Sequence, residues 1–140
     1  VGQVSPGLTV VAGSLFLSPK ISGEAVYSAL IGNRPVGSLR RRSIANVDWR
    51  LEQGHSPWSI DVALESLSSR VGNAANTLYA PPGETVNFGF RYRFELARHS
   101  ALIRVQAQNV LNDYRWQVSS SGGFTYSGSR SYVAQLVMDI

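Results

Sequence analysis

The segment Val86–Asn87–Phe88–Gly89–Phe90–Arg91–Tyr92–Arg93–Phe94–Glu95–Leu96 decides the fold. Val86, Phe88, Phe90, Tyr92, Phe94 and Leu96 fall on one side of an extended chain. Asn87, Gly89, Arg91, Arg93 and Glu95 fall on the other. Strands send successive side chains to opposite faces, so this is a strand with one apolar and one polar face. The pattern recurs over 43–52, where Ala45, Val47, Trp49 and Leu51 alternate with Asn46, Asp48 and Arg50. It recurs over 58–65 with Trp58, Ile60, Val62 and Leu64, and over 101–108 with Ala101, Ile103, Val105 and Ala107. Near the C-terminus Tyr132, Ala134, Leu136, Met138 and Ile140 form the apolar row. A first strand over 8–17 is apolar on both faces.

The connections alternate in length. Residues 53–57 and 97–100 form short turns, whereas 18–40, 69–84 and 110–129 are long and rich in Gly, Ser, Asn and Pro. In an up-and-down antiparallel meander every short turn then lies at one end and every long loop at the other. Transmembrane β-barrels have this asymmetry, with short periplasmic turns and long external loops. A soluble β-barrel or sandwich that binds a small ligand or protein partner also alternates, but turns its apolar face inward. Aromatics near strand ends (Trp49, Trp58, Tyr92, Phe94, Tyr132) suit an interfacial girdle. The charges of the opposite face suit a wet lumen, where unlike charges pair across strands.

Composition narrows the chemistry. The chain has 140 residues, 44% hydrophobic and 16% charged, with 13 basic and 9 acidic residues and a formal net charge of +4. Low charge with ordinary hydrophobicity argues against disorder. The absence of Cys excludes a disulfide framework, a thiol nucleophile and Cys-type zinc sites. The two histidines, His55 and His99, fall in a turn and at a strand start, and form no metal-binding pattern. No signal peptide and no apolar stretch of helix-spanning length is visible. Asp61 and Glu65 share a strand face about 13 Å apart, beyond the carboxylate spacing of glycosidases. Ser119, Ser120 and Ser121 have no acid–His pair beside them, and no phosphate-binding helix follows Gly122–Gly123. Neither enzymatic activity nor a cofactor or protein-bound metal is expected. Arg40–Arg41–Arg42 lacks a companion basic stripe or stacking platform, so nucleic acid is not expected as a partner. The run suits lipopolysaccharide phosphates at a membrane surface, with Arg42 free to pair with a lumenal carboxylate.

Several stretches resemble TonB-dependent outer-membrane receptors, particularly ferric-siderophore receptors. Gly83–Phe94 and Ala101–Tyr114 resemble late barrel strands of that family. Asn109–Val110–Leu111–Asn112–Asp113 matches the end of its penultimate strand, with Tyr114 one place early. A Gly-rich loop, Arg130 and an alternating last strand follow as in the family. Pro6–Gly13 and Ile31–Gly37 resemble the siderophore-receptor version upstream. Two departures stand out: Ile140 occupies the place of the usual terminal Phe, and about six strands cannot close the large barrel such receptors form around an N-terminal plug. The resemblance therefore implies that residues 1–140 are the C-terminal part of a receptor barrel, without the plug.

That reading implies a bacterial outer-membrane location and uptake of a ferric siderophore or similar nutrient. TonB would act through the absent plug, and outer-membrane lipid and lipopolysaccharide would surround the wall. Tyr79, Tyr114, Trp116 and Tyr126, with Phe124, are the candidate ligand contacts in the outer loops. Tyr132, Leu136, Met138 and Ile140 are the candidate signal read by the outer-membrane assembly machinery.

Overall fold

A computed structural model describes residues 2–52, 56–119 and 123–138. Among the positions singled out above, His55, Ser120, Ser121, Gly122 and Ile140 lie outside these described residues.

The chain runs through β1 (Gly2–Ser5), β2 (Leu8–Phe16), α1 (Glu24–Tyr27), β3 (Arg41–Arg50), β4 (Trp58–Leu67), β5 (Arg70–Val71), β6 (Tyr79–Ala80), β7 (Gly83–Leu96), β8 (His99–Gln108), β9 (Trp116–Val118), β10 (Phe124–Tyr126) and β11 (Ser131–Met138). Seven of the strands form one antiparallel sheet in the order β1-β2-β3-β4-β7-β8-β11. The sheet is open, with β1 and β11 at its edges. No helix of the described residues is long and apolar enough to cross a membrane, which leaves spanning by strands untouched.

One expectation needs correction. The sequence suggests about six strands, but β1 adds a seventh to the sheet. It pairs with β2 across Pro6–Gly7, where Gly7 takes a φ of 83° that side-chain-bearing residues resist. Gly2–Ser5 contains one large apolar residue, Val4, and so gives no alternation to read. The long connections carry short elements of their own. The first holds α1, the second the β5–β6 hairpin and the third the β9–β10 hairpin. Hairpin strands of two or three residues are too short to show a period.

Register carries the alternation of each strand across the sheet. Leu8, Trp49, Ile60, Phe90, Val105 and Ala134 stand side by side in one row. Val10, Val47, Val62, Phe88, Ala107 and Tyr132 form the next. Toward the short-turn end Trp58 stacks on Tyr92 at 4.0 Å between ring centroids, and Tyr92 on Phe94 at 5.6 Å. This face is not a dry core: Phe88 is 42% exposed, and Phe90, Tyr92 and Phe94 are only half-buried. No second layer of the described residues covers it. Among the described residues the buried apolar ones are Val71, Ala80, Ala101 and Val118, and three of these four belong to the long connections. The inward-facing soluble alternative is therefore not favoured.

The β7–β8 hairpin closes on Ala97 and Arg98 alone, with Leu96 opposite His99. Both turn residues have positive φ, 51° and 70°. Two successive left-handed residues match the right-handed twist of the flanking strands.

Candidate functional site

The three long connections meet at one end of the sheet. Gly37 N–H donates to the Val71 carbonyl at 2.8 Å, and Val71 N–H donates to the Ser38 carbonyl at 3.1 Å. Asn76 clasps Arg34, its Oδ1 accepting from Arg34 N–H and its Nδ2 donating to Arg34 O, both at 2.9 Å. Gly32 permits that clasp, since a Cβ there would lie 2.2 Å from Asn76 Cγ. The third connection joins through Phe124, whose ring rests on Gly72; a Cβ at Gly72 would come within 2.9 Å of Phe124 Cζ. Buried Val71, Ala80 and Val118 make this end a small packed cap.

The cap brings part of the predicted aromatic set together. Trp116 and Tyr126 face each other across β9 and β10 and stack at 3.9 Å, with Phe124 edge-on to Trp116 at 6.0 Å. Tyr79 lies instead beneath the Arg34 guanidinium, 5.9 Å from its ring centroid. Tyr114 stands apart, 58% exposed and without a ring contact among the described residues.

Between the cap and the polar face of the sheet lies a cavity of about 320 Å³, lined among others by Glu65, Thr85, Asn87, Gln108, Arg115 and Trp116. Arg115 is 9% exposed. Its Nη2 donates to Thr85 Oγ1, its Nε lies 3.4 Å from Asp113 Oδ2, and its Nη1 is buried without a hydrogen-bond partner. Sequence reasoning passed over Arg115; the one available signal was its place between Tyr114 and Trp116. A buried guanidinium with an unused donor favours an oxygen-bearing guest.

Asn109 positions that arginine. Its N–H donates to Asn87 Oδ1 at 2.9 Å, its Nδ2 donates to Gly128 O at 2.9 Å, and its Oδ1 accepts from Asp113 N–H at 3.0 Å. Asn109 and Asn112 have φ of 50° and 53°, the left-handed region that Asn tolerates. Asn112 Oδ1 in turn accepts from Arg130 N–H at 3.1 Å. The Asn109–Asp113 motif is thus the local device that turns the chain from β8 into the cap.

Farther down the polar face, two carboxylates and two guanidinium groups form a square. Asp48 and Asp61 are directly opposite in register, as are Arg91 and Arg104. Arg91 Nη2 bonds Asp48, its Nε lies 3.3 Å from Asp61 Oδ1, and Arg104 Nη2 lies 3.8 Å from the same oxygen. Like charges placed opposite each other repel, and the diagonal pairing offsets that. Arg42 pairs with Glu65 at 2.8 Å, as their shared place on the polar face suggests.

On β11, Tyr132, Leu136 and Met138 project from the apolar face at an open edge. The fourth member of the candidate assembly signal, Ile140, lies outside the described residues.

No protein-family profile matches the chain, and no curated protein matches it in sequence. Among solved structures, the fold is similar to that of BauA, the ferric preacinetobactin receptor of Acinetobacter baumannii, with a TM-score of 0.85 and 18% identity. The match covers 96% of this chain and 20% of that one, so the chain spans about a fifth of the length of the receptor it resembles. At that identity the likeness is one of fold: one large antiparallel sheet, consistent with a segment of a barrel.

Proposed function

We propose that this chain is a wall segment, with its external loops, of an outer-membrane receptor that takes up a ferric siderophore or a similar scarce nutrient. The observation that carries the reading is the uncovered apolar face of the sheet, capped at one end by long loops that gather aromatic and Arg side chains. In this reading the apolar rows face lipid and the Asp48–Arg91–Asp61–Arg104 square lines the lumen. The cap and its cavity belong to the external vestibule. Trp116, Tyr126, Tyr79 and Arg34 contact the incoming chelate, whose iron is already saturated by the siderophore. Arg115 offers a hydrogen bond from below. TonB acts through a plug elsewhere in the receptor, so this segment alone moves nothing and catalyses nothing. The open edge of β11 is offered to the assembly machinery, for which main-chain pairing gives affinity and alternate side chains give specificity. The likeness in fold to a ferric-siderophore receptor supports this function over a soluble binding module.

The three tryptophans allow a direct test. In liposomes of brominated phosphatidylcholine, single-tryptophan forms retaining Trp49 or Trp58 should be strongly quenched, and the form retaining Trp116 spared. In the full receptor, added ferric siderophore should quench Trp116. Brominated chains that leave Trp49 and Trp58 bright would overturn the membrane reading, and an unresponsive Trp116 the ligand reading.

A further inference from the structure

The structure divides the Arg40–Arg41–Arg42 run among three environments. Arg42 is taken by Glu65 at 2.8 Å, and Arg41 Nη2 reaches Ser66 Oγ at 3.3 Å. Arg40 joins Lys20 and Arg34 around a small cavity of about 90 Å³, completed by Ser18, Pro19 and Asn33. No carboxylate lines this cavity, and none of the three cations forms an ion pair among the described residues. Arg34 Nη2 is buried without a hydrogen-bond partner.

The backbones that carry two of these cations are fixed from other elements. Arg34 is clasped by Asn76 on both its N–H and its carbonyl. Arg40 N–H donates to Ser68 Oγ at 2.9 Å, and its carbonyl accepts from Leu17 N–H at 2.9 Å. Asn33, a wall of the cavity, is tied by its carbonyl to Ile21 N–H at 2.9 Å. Three like charges gathered about one space repel unless an anion sits among them. The volume equals about three waters at ~30 Å³ each, the scale of a tetrahedral oxyanion. Two guanidinium forks and an ammonium offer the donors such an anion accepts.

We propose that Lys20, Arg34 and Arg40 form a binding site for a phosphoryl group at the long-loop end of the sheet. The site shares Arg34 with the residues proposed above to contact the chelate, but no aromatic side chain lines it. The group it takes is a terminal phosphate, from free phosphate or from a phosphomonoester lipid headgroup, and not the phosphodiester of an ordinary phospholipid.

The test uses the whole chain in zwitterionic detergent, titrated by calorimetry with inorganic phosphate and, separately, with dihexanoyl phosphatidic acid or dihexanoyl phosphatidylserine. Saturable binding of phosphate assigns the free anion, and binding of phosphatidic acid alone assigns the headgroup. Either should weaken at least tenfold in Arg34→Gln/Arg40→Gln, weaken with added salt, and persist in Arg98→Gln, which removes a charge at the opposite end of the sheet. Should the double variant lose its far-ultraviolet circular dichroism, the exposed Lys20→Gln replaces it, with a loss of at least threefold expected. The proposal is overturned if neither ligand saturates, if phosphatidylserine binds as well as phosphatidic acid, or if the site variants bind like the unaltered chain.

Discussion

Asp61 lies across Gly89. The two residues face each other in register between β4 and β7, and a Cβ on Gly89 would fall 2.4 Å from Asp61 Oδ2. The missing side chain therefore leaves room for the carboxylate to lie flat on the sheet, where it meets both Arg91 and Arg104. Gly89→Ala should push Asp61 aside and destabilise the fold by about 1–3 kcal/mol. Chemical unfolding in detergent, followed by tryptophan emission, measures this. Combining Gly89→Ala with Asp61→Ala should cost less than the sum of the single changes, because the clash is gone. Strict additivity would dissociate the glycine from the charge square.

The two faces predict opposite responses to the same substitution at adjacent positions. Val62 stands in the centre of the apolar face, and Ala63 points to the polar face between Asn46 and Asn87. Val62→Arg should cost about 2–4 kcal/mol in a bilayer, as a charge on the lipid side of a barrel wall does. Ala63→Arg should stay within about 1 kcal/mol, since that side chain reaches a wet surface. Equal penalties in reconstituted chain would contradict the assignment of faces.

Ala97 and Arg98 hold left-handed backbone that costs about 1–2 kcal/mol per residue outside glycine and asparagine. Asn-Gly is the pair best suited to this two-residue turn. Ala97→Asn/Arg98→Gly should raise the unfolding midpoint, with a gain of about 1–3 kcal/mol. A neutral or negative change would mean that the turn is not of this type.

Asn109 combines a positive φ with hydrogen bonds to three separate segments. Asn109→Gly keeps the backbone conformation and loses the side-chain bonds, which should cost about 1–3 kcal/mol. Asn109→Ala should cost about 1 kcal/mol more. Amide exchange at Asp113 and Arg115 should accelerate in both variants, because the Asn109 side chain no longer holds the chain at Asp113 and Gly128, while its backbone bond to Asn87 on β7 is kept.

The Trp116–Tyr126 stack contributes about 0.5–1.5 kcal/mol to the β9–β10 hairpin. Trp116→Ala should speed exchange of the Ser127 amide, which donates to the Arg115 carbonyl at 2.8 Å. It should leave β3, β4 and β7 protected, since the cap packs on the sheet rather than within it.

The sequence by itself determined the sheet, its two faces and the segregation of short turns from long loops. Covalent geometry sets the side-chain period of a strand at two, so Val86–Leu96 announces its faces with no reference to any neighbour. Even the Arg42–Glu65 pair was foreshadowed by the faces the two residues occupy. Only the tertiary structure decided that Gly89 accommodates Asp61, that Arg115 reaches Thr85, and that Asn76 clasps Arg34 beneath which Tyr79 lies. Each joins residues 28 or more positions apart, through register between strands or packing between loops, and no local period encodes such distances. The same reason hid the β5–β6 and β9–β10 hairpins: strands of two or three residues are held by the cap they build together, not by a pattern of their own.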